Sequence, residues 1–266
     1  MIKFSNVCFA YEKTNILDNI NFSINKGEFV AIVGRNGAGK TTLMKLFNGL
    51  LKPTSGNVNI ANLDTKISKT SELAKHVGFL FQNPDRQICQ NTVKAEIAFG
   101  LKCVLTDKGE IEKRCKDTMA RFGLIGEKDP FSLSRGERQK VALASIIALS
   151  PKILVLDEPT TGLDYKECMH IMEIINELNQ NGTTVIMVCH DMELVADFAQ
   201  RVIVLGEGNI LADASCKKVM VDADVLRSAS LAPPQIAELA IRLGEDFEGI
   251  LTLDEMTDKI ESRCLS

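Results

Sequence analysis

Phe29-Val30-Ala31-Ile32-Val33-Gly34-Arg35-Asn36-Gly37-Ala38-Gly39-Lys40-Thr41 is an apolar run that opens into a glycine-rich loop ending in a lysine and a hydroxyl. The unbroken run 29–33 predicts a strand buried on both faces of a mostly parallel sheet. The loop satisfies G-x-x-x-x-G-K-[ST] at every fixed position. Leu43, Leu46, Phe47 and Leu50 follow at helical spacing, closing at Lys52-Pro53. Strand, loop and helix in that order make a phosphate-binding unit. Glycines let backbone N–H groups close around a phosphate chain, and a helix dipole starting near Lys40 adds positive potential. Lys40 is expected to bridge the outer phosphates and the Thr41 hydroxyl to ligate Mg²⁺.

Such a site needs a second strand that ends in a carboxylate, and Ile153-Leu154-Val155-Leu156-Asp157-Glu158 supplies it. Asp157 is placed to hold the metal directly or through water. Glu158, one residue further, is placed to orient or deprotonate an attacking water.

Outward from these two strands the chain alternates in type. Val7-Cys8-Phe9 and Ile20 to Ile24 alternate like strands, as does Asn57 to Ile60, and Val77 to Phe81 is another buried run. From Thr92 to Phe122 the pattern is helical with a break at Thr106 to Gly109, and a further helix is expected from Ser134 to Leu149. Cys168, Ile171, Met172, Ile175 and Leu178 form one helix face, stopped by Asn181-Gly182 before the strand Thr183 to Val188. Val202 to Leu205 and Ile210-Leu211 flank the turn Gly206-Glu207-Gly208 as a hairpin. From about Ala214 only helices are expected, with Thr252 and Glu255 as a capping box.

Composition sets the outer limits. The chain has 266 residues, 45% hydrophobic and 25% charged, which excludes a disordered or collagen-like chain. Thirty-one basic against 35 acidic residues, a net charge of −4, leave no basic footprint for nucleic acid. The eight cysteines show no C-x-x-C pair and no metal-ligand spacing, so most are expected to be small buried hydrophobes in a reducing cytosol. The N-terminal residues do not read as a leader, and no apolar run reaches the roughly 18 residues of a membrane span.

Leu133-Ser134-Arg135-Gly136-Glu137 precedes the Asp157-Glu158 strand, Gln82 follows the run 77–81, Gly162-Leu163-Asp164 follows Glu158, and His190 ends the strand 183–188. In this order the motifs resemble the ATP-binding-cassette (ABC) ATPases over roughly residues 1–212. The resemblance implies an α/β P-loop NTPase core with a mixed, mainly parallel sheet and N-terminal antiparallel strands. It implies a nucleotide-binding domain at 1–213, a helical subdomain inserted at about 89–150 and a small C-terminal helical extension at 214–266. It further implies ATP hydrolysis with Mg²⁺. The ATP-binding set would be Tyr11, stacking on adenine, with Gly34, Asn36, Gly37, Ala38, Gly39, Lys40, Thr41 and Thr42. Glu158, His190 and Gln82 would be catalytic, and Thr41, Gln82 and Asp157 would face the metal.

Ser134, Arg135, Gly136 and Glu137 correspond to the family's signature, which serves ATP bound to a second subunit, and Asp164 to its D-loop. Arg135 stands where the family has glycine and Glu137 where it has glutamine. The segment 82–87, the signature wording and Leu231-Ala232-Pro233-Pro234-Gln235 are similar to the energy-coupling factor importers of vitamins and of cobalt or nickel ions. That likeness implies a second ATPase subunit, identical or paralogous, an integral membrane transporter subunit, a substrate-binding membrane subunit, and a place on the cytoplasmic face of the cell membrane. It implies no nucleic-acid partner. Two readings stay open beside it, an ATP-gated regulatory subunit with little turnover and an ABC ATPase of nucleic-acid maintenance.

Overall fold

The computed structural model describes residues 2–247 and 249–264. Its strands are β1 (Ile2–Tyr11), β2 (Thr14–Ile24), β3 (Phe29–Val33), β4 (Ser55–Ile60), β5 (Leu63–Asp64), β6 (Val77–Leu80), β7 (Ile153–Asp157), β8 (Thr184–Val188), β9 (Arg201–Gly206) and β10 (Asn209–Ser215). Its α-helices are α1 (Lys40–Phe47), α2 (Thr70–Leu73), α3 (Val93–Val104), α4 (Lys108–Phe122), α5 (Arg135–Ile147), α6 (Tyr165–Gln180), α7 (Met192–Phe198), α8 (Cys216–Met220), α9 (Ala223–Ser228), α10 (Gln235–Leu243) and α11 (Leu253–Cys264).

Two sheets form. One has the order β10-β9-β3-β8-β7-β6 and is parallel except where β10 pairs back onto β9. The other, β2-β1-β4-β5, is antiparallel. The period of two explains why β3, β7, β8 and β9 carry apolar residues without a break. Val30 and Ile32, with Val155, Ile186 and Ile203, enter a core shared with α1 and the antiparallel sheet. Ala31 and Val33, with Leu154, Met187 and Val202, face a second core under the helices. β3 lies between β8 and β9, where the strand order reverses, so the ends of β3, β7 and β8 open together into one crevice.

α3, α4 and α5 bring Ile97, Leu101, Cys115, Phe122 and Val141 into the helical core. Gly78 of β6 lets α5 come close, because a Cβ there would lie 2.3 Å from Ile146 Cγ2. Several boundaries differ from expectation. α1 stops at Phe47, with Asn48 as its cap, rather than reaching Lys52. β10 runs through Ala214 to Ser215, because it keeps pairing with β9 as far as Arg201. The core, moreover, does not break at 213/214. Cys216, Val219, Met220, Leu226 and Ala229 are buried in the main helical core. Among the described residues of the tail, Ala240, Phe247, Ile250 and Met256 form a cluster of their own. This outer part is tied back where the Gln235 N–H donates to Glu193 Oε1 at 2.7 Å.

Thr252 and Glu255 do form a reciprocal cap. Cys115, Cys168, Cys189 and Cys216 are buried, but Cys89 and Cys103 are exposed and Cys8 is half-buried. The Cys264 side chain lies outside the described residues. Burial pushes the Cys189 thiol up to about 12 and that of Cys216 to about 11, as suits packing rather than reactivity.

Candidate nucleotide site

The crevice at the strand ends holds a cavity of about 380 Å³ lined by Lys40, Thr41, Gln82, Asp157, Glu158 and His190 among others. Residues far apart in sequence, Lys40 and His190 among them, meet there because β3, β7 and β8 are neighbours. Asn36, Gly37, Gly39 and Thr42 complete the wall on the loop side. Gly34 shapes the loop from behind, since a Cβ there would lie 2.1 Å from Leu205 O. Ala38 is buried, and its carbonyl accepts from the Gly208 N–H at 3.3 Å.

Gly39 precedes α1 with φ 99°, and α1 has neither a side-chain cap nor an acidic residue in its first turn. Its free N–H groups therefore present positive potential to the cavity. The Lys40 ammonium is buried and donates to Gly34 O at 2.6 Å and Arg35 O at 2.9 Å. Burial lowers its pKa, while Glu158 and Asp157 oppose that change.

Asp157, the last residue of β7, is 2% exposed, and its Oδ1 has no hydrogen-bond partner among the described residues. Burial and then the neighbouring Glu158 push its carboxyl up to about 6, against a pull downward from the Thr41 hydroxyl and Lys40. A buried carboxylate oxygen without a donor, beside a threonine hydroxyl and the Gln82 amide, fits a hard divalent cation. Among the described residues no group of three or more His, Cys, Asp or Glu is arranged to hold a metal ion by itself. Few protein ligands are what Mg²⁺ requires when waters and phosphate oxygens fill the remaining positions.

The raised carboxyl pKa has a measurable consequence. The folded Asp157 keeps its proton to about pH 6 whereas an ordinary aspartate releases it near 3.8, so stability falls as pH rises through that window. Asp157→Asn is expected to stabilise the protein in EDTA at pH 8 by about 3 kcal/mol. The advantage should vanish below about pH 4, where both carboxyls are neutral. Thermal melts of both chains across pH check this, and equal melting temperatures at pH 8 would contradict it.

Glu158 adopts φ +54°, a conformation that costs a non-glycine residue energy and is held by its surroundings. Its N–H donates to Val188 O at 3.0 Å. His190 Nε2 stands 2.8 Å from its Oε1, and Thr161 Oγ1 donates to its Oε2 at 3.1 Å. The carboxylate is thus fixed at both oxygens at the mouth of the cavity. Asp191, next to His190, caps α7 by accepting from the Glu193 and Leu194 N–H groups.

The signature residues lie elsewhere. None of Ser134, Arg135, Gly136 and Glu137 lines this cavity. Ser134 caps α5 by accepting from the Glu137 N–H at 3.2 Å, while Glu137 Oε2 accepts from the Ser134 N–H at 2.9 Å. This reciprocal box gives the departure at Glu137 a structural role. It also holds the Glu137 carboxyl below the usual carboxylate range, the Ser134 backbone N–H being the main cause. Arg135 is exposed. Gly136 packs against the loop after Glu158, where a Cβ would lie 2.5 Å from Gly162 O. Asp164 caps α6 by accepting from the Glu167 N–H at 2.8 Å.

Residues 17–161 match the ABC transporter family. The chain belongs to the ABC transporter family of ATP-binding proteins. It is 44% identical over 258 residues to the energy-coupling factor transporter ATP-binding protein EcfA2 of Acetivibrio thermocellus, covering 94% of this chain and 92% of that one. It is also 44% identical over 259 residues to a putative ABC transporter ATP-binding protein of Caldanaerobacter subterraneus, covering 96% of this chain. The chain spans 45% of that relative's length, so about half of some curated relatives lies outside the match. Among solved structures, cbiO1 from Clostridium perfringens, part of the ABC transporter complex cbiONQ, superposes with a TM-score of 0.75 at 34% identity, covering 90% of this chain and 97% of that one.

In this ABC transporter chain one part of the site was missing from the sequence reading. Ile16, from the hairpin of β1 and β2, lines the cavity. Tyr11 does not. It stands at the end of β1, exposed, with its ring edge-on to Phe9 at 4.8 Å. Nothing in the spacing of an alternating strand distinguishes these two positions. Thr161, a D-loop position where serine or alanine is common in the family, also enters the site, since a hydroxyl three residues after Glu158 is one that a turn can exploit.

Proposed function

We propose that this chain is the ATP-binding and ATP-hydrolysing subunit of a membrane importer of the energy-coupling factor type. The observation that carries the reading is Glu158, held by His190 and Thr161 at the mouth of the cavity that Lys40, Thr41 and Asp157 line. The loop 34–41 and the start of α1 bind the phosphates, and Lys40 neutralises charge on the outer two. Thr41, Asp157 and Gln82 would hold Mg²⁺, which would supply charge neutralisation at the phosphates. Glu158 orients the attacking water and accepts its proton, and His190 holds that carboxylate in place.

A single chain leaves the γ-phosphate open on one side, and the signature, being outside its own cavity, is free to close the site of a second ATPase subunit. Ser134 and Gly136 then face the partner's phosphates from the N-terminus of α5. The outer tail, with Leu239, Leu243 and Ile260 exposed, contributes to pairing. Closure reaches a membrane subunit through the segment after Gln82. Gln87 Nε2 donates to Ala142 O at 2.8 Å, Arg138 pairs with Asp85 at 2.7 Å, and the buried Glu96 accepts from the Cys89 and Gln90 N–H groups. These contacts make the segment move with the helical subdomain. Among the described residues no helix is long and apolar enough to cross a membrane, which suits a subunit that docks on one. We place it at the cytoplasmic face, powering uptake of a vitamin or a transition-metal ion.

The test is affinity purification of the tagged chain from its native membranes in mild detergent, with mass spectrometry and an ATPase assay on the eluate. A small polytopic membrane protein should co-purify with ATP turnover. Recovery of soluble or nucleic-acid-bound partners alone would sink the importer reading.

A further inference from the structure

Gln139 lies one turn into α5 and is 1% exposed, a costly place for an amide unless its polar atoms are satisfied. Its Nε2 donates to the Glu158 backbone carbonyl at 3.2 Å. That carbonyl belongs to the residue with φ +54°, and the only other hydrogen bond it receives among the described residues is a long one, 3.4 Å, from the Thr161 N–H. A backbone in a sparsely populated conformation persists only when its neighbours hold it there. Gln139 is such a neighbour, and it comes from a different element from every other group that holds Glu158.

The same helix is clamped a turn earlier. Gly136 sits so close to Gly162 that a Cβ would be 2.5 Å from its carbonyl oxygen and 3.1 Å from Leu163 Cδ2. α5 therefore touches the Glu158 loop at two points, at its start through Gly136 and in its buried face through Gln139. Any displacement of the α5 N-terminus is transmitted to the peptide that aims the Glu158 carboxylate.

We propose that Gln139 is a positioning residue for Glu158, making the alignment of that carboxylate depend on where the signature end of α5 stands. The inference rests on the reading of Glu158 as the group that acts on water. Gln139 does not line the nucleotide cavity. It holds the turn, and through it hydrolysis becomes conditional on contact at Ser134 and Gly136.

Turnover is measured on the full chain co-purified with its membrane partners, for the wild type, Gln139→Met, Gln139→Glu and Glu158→Gln. Gln139→Met keeps the volume and removes the donor. It is expected to lower kcat at least tenfold with KM for ATP nearly unchanged. Gln139→Glu is the sharper variant, because its carboxyl donates to the Glu158 carbonyl only while protonated. Its kcat relative to wild type should rise severalfold between pH 8.5 and 6.5, a trend that mere loss of packing does not produce. A kcat within twofold of wild type for Gln139→Met, or a Gln139→Glu ratio that is both flat and well below one, overturns the proposal. If Gln139→Met does not fold, the pH ratio of Gln139→Glu decides alone. Wild-type turnover in Glu158→Gln would instead remove the reading beneath it, so the two failures are distinguishable.

Discussion

Glu158→Gln is expected to lower steady-state ATP turnover by roughly a hundredfold or more, the usual worth of a positioned base, while ATP still binds. The amide keeps the shape of the side chain and a contact for both Thr161 and His190, which stand 3.1 Å and 2.8 Å from the two carboxylate oxygens. It loses the ability to take a proton. The neighbouring Asp157 also feels the change, because the Glu158 charge helps to push its carboxyl up to about 6, and removing that charge makes ionised Asp157 easier to keep. Nucleotide and metal affinity should therefore hold or improve, and ATP should be retained on a paired, closed form. Phosphate release and size-exclusion profiles with and without ATP check this. Turnover at the wild-type rate would mean that Glu158 is not the base.

Lys40→Met is the second large effect, and it acts on binding. Methionine preserves the buried aliphatic stem but carries no charge and no donors. Lys40 makes two hydrogen bonds, to Gly34 O and Arg35 O, at the end of the glycine-rich loop. With nucleotide in place the ammonium is expected to turn from these carbonyls to the phosphates, and since a hydrogen bond to a charged group contributes about 1.5–3 kcal/mol, losing it between two charged partners amounts to roughly 3 kcal/mol. That corresponds to roughly a hundredfold weaker ATP binding. Titration with a fluorescent ATP analogue reads it directly. An unchanged Kd would show that the loop backbone and α1 alone hold the phosphates.

Much of the site was legible in the sequence because its parts are local. Gly34 to Thr41 and Ile153 to Glu158 each carry their chemistry within a few residues, next to apolar runs that can only be central strands. The sheet is mainly parallel, as expected, and its order places β3 beside β8 and β8 beside β7. Contacts made by a single side chain from a distant element were not legible. Ile16 enters the cavity and Gln139 reaches the Glu158 carbonyl only because of how the hairpin and α5 pack, and neither position breaks its local pattern. The near end of the tail shows the same limit. A change from strands to helices after β10 looks like a domain boundary, yet Met220 and Leu226 are as deeply buried in the main core as the strand residues. Periodicity reports which face of a helix is apolar and is silent on which core receives it.

That divided tail separates two kinds of evolutionary freedom. Residues 216–231 fill the same interior as the sheet, so replacing them means rebuilding the hydrolytic unit. Beyond Pro233-Pro234 the chain has its own small interior and a hydrogen bond back to Glu193. Such a piece can be exchanged or redesigned to suit a different mate, and the machinery that spends ATP is inherited unchanged.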